Sequence, residues 1–195
     1  ERSTEETVNL YQPKKRFLIP ITNFHVPRKL YKLFKQNKYT FRLNHNFEEV
    51  ISQCQSSNRK DDGTWINEII LNSYINLYHN KMCHSIECYD DNTLIGGLYG
   101  VHLGGCFFGE SMFSKVSNTS KFCLLYLIAI LKKNLFSILD SQFYNKHLLQ
   151  FGAFEMNNID SLNRLKIGLE QKRNFIFING FQEVLSLTQP SNHKS

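Results

Sequence analysis

The chain has 195 residues, 42% of them hydrophobic and 21% charged, with a formal net charge of +6 and a pI near 9.0. That is enough apolar material for one domain with its own core, and too much for a disordered chain. The longest apolar run, residues 122–131, is about half of the roughly 20 residues that cross a bilayer, which excludes a membrane partner and makes it a buried helix.

Residues 1–20 read as a flexible N-terminal arm, 21–180 as one domain and 181–195 as a C-terminal tail. Residues 27–37 have a helical pattern, with Pro27 suited to the first turn and Leu30, Leu33 and Phe34 on one face. Residues 39–43 alternate like a strand. Residues 47–55 read as a helix capped by Asn46, 56–63 as a polar loop, and 65–80 as a longer amphipathic helix. Three strands follow, at 84–89, 94–103 and 106–113, joined by the Asp90–Thr93 turn and a tight Gly104-Gly105 hairpin. Asn118 caps the apolar helix, residues 119–133. A strand at 136–142, a short helix at 145–151, a strand at 154–157 and a helix at 161–172 complete the domain.

The charge is unevenly spread. Residues 13–42 hold nine basic side chains and no acidic one. Arg28, Lys32 and Lys35 share one helical face at i, i+4, i+7. Such a block is a solvated surface or a seat for a polyanion. The five cysteines form no C-x-x-C pair, and the histidines show no ligand spacing, so unpaired thiols in a reducing compartment and no metal are expected. No leader pattern is visible, which points to the cytoplasm, or to an organelle if a targeting segment preceded Glu1.

The element order is that of the acyltransferase superfamily that includes the N-acetyltransferases. The expected class is therefore α/β (α+β), with a GNAT-like, mostly antiparallel mixed sheet flanked by helices. In that fold the sheet splays between the third strand of the meander and the strand after the central helix, here between 106–113 and 136–142. Coenzyme A users seat a pyrophosphate on a glycine-rich turn before that helix. The corresponding residues, 114–121, contain no glycine, which counts against coenzyme A.

Several stretches resemble the leucyl/phenylalanyl-tRNA–protein transferase family: Gly63-Thr64-Trp65-Ile66, His84-Ser85-Ile86-Glu87, residues 94–101 (LIGGLYGV), residues 107–114 (FFGESMFS), Asn118-Thr119-Ser120-Lys121 and Leu139-Asp140-Ser141-Gln142, then His147 and Gly152-Ala153. They span roughly residues 20–170 in the family's order. The resemblance implies an aminoacyl-tRNA donor carrying Leu, Phe or Met, an acceptor protein with an N-terminal Arg or Lys, marking for degradation, and no cofactor. Two departures stand out. The aromatic N-terminal domain usual in the family is absent from this sequence, and Ser141 stands where cysteine is common.

The resemblance also implies roles. Asp140 and Gln142, two apart on a strand, would share a face. The Gln142 amide oxygen would accept a hydrogen bond from the attacking α-amine while Asp140 polarises the amide. Glu110 would hold the donor's α-ammonium or orient Gln142. Leu98, Phe107, Gly109 and Leu131 would bind the donor side chain, Trp65 would stack on the tRNA 3′ end, and Arg28, Lys32 and Lys35 would meet acceptor-stem phosphates. Read without it, Asp140 and Gln142 satisfy strand-end backbone, Glu110 pairs with a surface lysine, and Leu98, Phe107, Leu131 and Trp65 are core. The competing functions are a coenzyme A-dependent N-acyltransferase on the same fold and a non-catalytic RNA-binding relative.

Overall fold

The computed structural model describes residue 8 and residues 11–56 and 65–190. The loop expected at 56–63 thus lies almost wholly outside the described residues. The elements in chain order are β1 (Lys15–Leu18), α1 (Arg28–Phe34), β2 (Thr40–Leu43), α2 (Phe47–Ser56), α3 (Glu68–His79), β3 (Cys83–Asp90), β4 (Thr93–Leu103), β5 (Cys106–Ser114), α4 (Thr119–Lys133), β6 (Ile138–Asp140), a 3-10 helix (Lys146–Phe151), β7 (Phe154–Asn157), α5 (Asn158–Glu170) and α6 (Phe181–Leu187).

The seven strands form one sheet in the order β2-β3-β4-β5-β6-β1-β7, antiparallel except for the β5–β6 pair. The mixed, mostly antiparallel class expected from the sequence is observed. β3 and β4 are buried on both faces, because α4 covers one side and α2 with α3 the other. This explains why both strands read as near-continuous apolar runs. α4 is buried all round, from Thr119 to Leu131, since α6 and α1 pack on its outer side through Phe34, Tyr126 and Phe181. An α-helix apolar on every face has to be enclosed this way. Gly96 permits the close approach of β4 to α4: a side chain there would collide with Thr119. Gly104 makes the β4–β5 turn at φ +59°.

Three sequence expectations are corrected. Residues 15–18 are not part of an arm but form β1, an interior strand between β6 and β7. The segment assigned to a tail begins with α6, whose Val184 and Leu185 are buried. Asn118 does not cap α4 with its side chain. It sits at φ 70°, in the left-handed region, and makes no side-chain cap bond; the hydroxyl of Ser114 accepts from Ser120 N–H at 3.0 Å instead. All five cysteines are buried thiols, none joined in a disulfide. No described helix is long and apolar enough to cross a membrane.

At the sheet's far end, His84 is sandwiched without full hydrogen bonding. Its Nδ1 meets the Asn44 amide at 2.9 Å, its ring stacks on Phe175 at 4.5 Å, and its Nε2 has no partner among the described residues. Burial, with the neighbouring His102 second, pushes its pKa down from 6.5 to about 4. The unfolded chain therefore takes up this proton at a higher pH than the folded one. Acidification from pH 6.5 towards 4 should cost about 3 kcal/mol of stability through this residue. Urea unfolding at pH 7 and pH 4.5 measures it, and His84→Phe should remove most of that acid sensitivity.

Candidate active-site cleft

The cleft exists because one ladder ends early. β5 and β6 pair only through Cys106↔Ile138, Phe107↔Leu139 and Phe108↔Asp140. β5 then continues to Ser114 with no further pairing to β6 among the described residues, so the sheet opens there. A second irregularity aims a side chain into the gap. In the β4–β5 ladder, Tyr99 pairs with Ser111 and Gly100 with Gly109, leaving Glu110 as the extra residue of a bulge. A bulge re-aims its residue and breaks the two-residue alternation.

Glu110 is held at both oxygens. Tyr74, on α3, donates its hydroxyl to Oε2 at 2.8 Å, and the Gln142 amide Nε2 donates to Oε1 at 3.4 Å. Burial raises the Glu110 carboxyl above its ordinary range. The Tyr74 hydrogen bond pulls it down, the Asp140 charge adds to the rise and Arg16 opposes it.

Asp140 ends β6 and is only 4% exposed. Its Oδ2 accepts the Nε–H of Arg16 at 2.9 Å and forms an ion pair with Nη2 at 2.8 Å. Its Oδ1 accepts the backbone N–H of Gln142 at 2.7 Å. The same-strand argument for Asp140 and Gln142 does not hold: β6 stops at Asp140, and Gln142 adopts φ +61° in the loop beyond it. The two residues do meet, but through carboxylate and backbone rather than carboxylate and amide side chain. β1 grips this loop. Ser141 N–H and its hydroxyl both donate to Phe17 O at 2.9 Å, and Phe17 N–H donates to Gln142 O at 3.1 Å.

Beside Glu110 lies a cavity of about 210 Å³ lined by Ile19, Leu98, Tyr99, Gly109, Met112, Leu124, Leu127, Leu139, Ser141 and Leu148, among others. Its size suits one amino-acid side chain better than a cofactor, which takes roughly 300–1,000 Å³. The Tyr99 hydroxyl is buried without a hydrogen-bond partner among the described residues.

Of the residues expected to bind a donor side chain, Leu98 and Gly109 line the cavity. Phe107 does not; it is fully buried and stacked on Phe175 at 5.2 Å. Leu131 does not either, lying one helical turn past Leu127 and closed into the core. Phe107 lies where β5 is still closed against β6, opposite Leu139, and on α4 it is Leu124 and Leu127 that reach the cavity. Trp65 is 43% exposed and stands edge-on to Tyr74, ring centres 6.5 Å apart. It therefore borders the Tyr74–Glu110 pair and is not core. Arg28, Lys32 and Lys35 are exposed on α1, with no acidic partner in salt-bridge range among the described residues. Among the described residues no three His, Cys, Asp or Glu side chains converge on a possible metal position.

Sequence reasoning missed Arg16, Tyr74, Met112, Leu124, Leu127 and Leu148. Leu124 and Leu127 were visible only as part of a uniformly apolar helix. Nothing local marks Arg16 among the nine basic residues of that block.

Fold and cleft together define an α/β protein with an opened sheet, a polar mouth built on a buried carboxylate, and a side-chain-sized apolar slot. Residues 18–166 match the leucyl/phenylalanyl-tRNA protein transferase family. The chain is 46% identical over 165 residues to the leucyl/phenylalanyl-tRNA–protein transferase of Zymomonas mobilis subsp. mobilis, covering 85% of this chain and 61% of that protein. The counterpart from Maricaulis maris is 40% identical over 195 residues, covering 98% of this chain and 90% of its own. That of Pseudoalteromonas atlantica is 40% identical over 164 residues, covering 84% and 70%. The chain belongs to the leucyl/phenylalanyl-tRNA–protein transferase family. It spans less than two thirds of the Zymomonas relative's length.

Tyr74→Phe removes the hydrogen bond that stabilises the ionised Glu110. The Glu110 carboxyl should then titrate at a higher pH than in the wild type, because the bond that lowers it is gone. Carbon-13 NMR of the side-chain carboxyl would read the shift directly.

Proposed function

We propose that the cleft transfers an amino acid from an aminoacyl-tRNA to the α-amine of a protein with an N-terminal Arg or Lys, marking it for degradation in the cytoplasm. The observation that carries this reading is the meeting of Gln142 and Glu110 at the mouth of the apolar slot, in a chain that matches this family over residues 18–166. Leu98, Met112, Leu124 and Leu127 receive the donor's Leu, Phe or Met side chain. Such residues, unbranched at Cβ, enter a narrow slot more readily than β-branched ones.

The ester is already an activated acyl donor, and an α-amine has a pKa of about 7.7–8.0, so a neutral fraction exists at pH 7. Catalysis then needs positioning and one proton acceptor. Because Gln142 Nε2 is engaged by Glu110, its Oε1 is left to accept from the attacking amine. Glu110 is therefore the carboxylate that polarises this amide, in place of Asp140, whose two oxygens are taken by Arg16 and the Gln142 backbone. The C–N bond forms, the C–O ester bond breaks, and the amine's proton ends on the departing ribose oxygen. Trp65 stacks on the terminal adenine, and Arg28, Lys32 and Lys35 meet backbone phosphates. The open sheet beside α4 supports a GNAT-like catalytic unit that runs from β1 to α6. Coenzyme A is disfavoured: Ser114 already occupies the Ser120 amide at the start of α4.

Incubation with charged leucine or phenylalanine tRNA and an Arg-starting peptide should place labelled amino acid on the peptide; no transfer at all would refute the reading. Glu110→Gln should lower the rate on the order of 10²–10⁴-fold. Replacing Arg28, Lys32 and Lys35 together should flatten the plot of log affinity against log salt by about 0.9 per lost phosphate contact. An unchanged slope would leave α1 as plain solvated surface.

A further inference from the structure

We infer that Arg16, on β1, is a positioning residue that sets the Gln142 side chain through Asp140; the proposal rests on the transfer reaction proposed above. Gln142 stands at φ +61°, a conformation that residues with a Cβ rarely adopt and that persists where its surroundings enforce it. The enforcement is visible. Asp140 Oδ1 holds the Gln142 N–H at 2.7 Å, and the Phe17 N–H holds the Gln142 carbonyl at 3.1 Å. Both supports come from, or are governed by, β1.

Arg16 controls the first of them. Its Nε–H donates to Oδ2 of Asp140 at 2.9 Å, and its Nη2 lies 2.8 Å from the same oxygen in the ion pair. That saturates one carboxylate oxygen, fixes the carboxylate plane and leaves Oδ1 for the loop. A carboxylate oxygen makes a shorter and stronger bond to an amide N–H than a neutral acceptor does. Without the guanidinium, Asp140 would be an unpaired carboxylate almost out of reach of water, relieved by swinging outward or by drawing water in. In either case its grip on Gln142 N–H weakens, and the Gln142 amide loses its aim at Glu110, 3.4 Å away. A lysine has the charge but not the fork, so it should restore the function in part.

The neighbouring basic residue makes a contrast. Lys15 pairs with Glu155 at 2.8 Å on the exposed face of the same strand and does not touch the loop. Its loss should not alter transfer.

The test compares Arg16→Met, Arg16→Lys, Lys15→Met, Asp140→Asn and the Arg16→Met/Asp140→Asn double variant, each checked for folding by thermal unfolding. Two readouts are needed. In the transfer assay Arg16→Met should lower kcat by roughly 10–10²-fold, the range that a misplaced reacting group costs, with KM for the charged tRNA nearly unchanged. Arg16→Lys should recover part of it, Lys15→Met should match wild type, and the double variant should be no slower than Asp140→Asn, since both changes act on one loop. Hydrogen exchange of the Gln142 amide should speed up at least tenfold in Arg16→Met. A folded Arg16→Met with wild-type kcat and unchanged exchange would overturn the proposal. So would an additive double variant. Should Arg16→Met fail to fold, a folded Arg16→Lys with wild-type kcat and exchange would overturn it, whereas reduced kcat with faster exchange would support it. Wild-type protein that transfers nothing, with exchange still governed by Arg16, would sink the proposed reaction and leave the loop's dependence on Arg16 standing.

Discussion

The parallel ladder between β5 and β6 ends after three residue pairs, at Phe108 and Asp140, and the remaining features of the cleft depend on that early end. A strand that stops leaves its neighbour with unpaired backbone and with side chains that no longer pack against a partner. β5 does not waste the space. It bulges at Glu110, lets Tyr74 reach that carboxylate from the α3 side, and presents Met112 to the slot from the other. The floor is α4, enclosed on all sides and therefore rigid. A site whose groups come from paired strands and a buried helix is held more precisely than one carried on loops. The exception is residues 141–145, a loop, and that is where the structure supplies extra fastening from β1.

Much of this architecture was legible in the sequence because it is written in local pattern. The apolar run with Asn118 before it and Lys132-Lys133 at its end gives α4 at its observed bounds, and Phe154–Asn157 is likewise found as a strand. The meander was readable from its two turns, where Asp90 faces Thr93 and Leu103 faces Cys106. The start of α5 was misplaced by three residues, because Asn157, whose side chain accepts from Asp160 N–H, is an inconspicuous cap in a run of polar residues.

What was not legible has a common cause: it depends on partners distant in the chain. Lys15 and Arg16 look like two more charges in a basic arm until Glu155 and Asp140 are brought beside them, 140 and 124 positions away. The bulge at Glu110 is similar. Strict alternation would put residue 107 on the same face as 113, yet Phe107 packs in the cluster with α4 and Phe113 in the cluster with α2. No residue in that stretch announces the extra position, so Met112, which the bulge brings to the α4 side together with Phe107, is overlooked. The left-handed Gln142 is a single-residue event, fixed by Asp140 and Phe17 rather than by its own preference.

The two carboxylates of the site end up chemically unlike although their backbones lie on neighbouring strands. Asp140 is balanced by a guanidinium on one oxygen and a peptide N–H on the other, so its charge is spent on shape. Glu110 has a phenol and an amide, both neutral, and burial lifts its affinity for a proton. Two carboxyl groups held by such different partners can divide labour between them. In the proposed transfer this division gives structure to Asp140 and chemistry to Glu110. It also accounts for the need for β1 inside the sheet: a cation for Asp140 drawn from the exposed basic helix α1 would be hydrated and screened, whereas Arg16 arrives on a strand bonded on both edges, with its charge already facing the carboxylate it must hold.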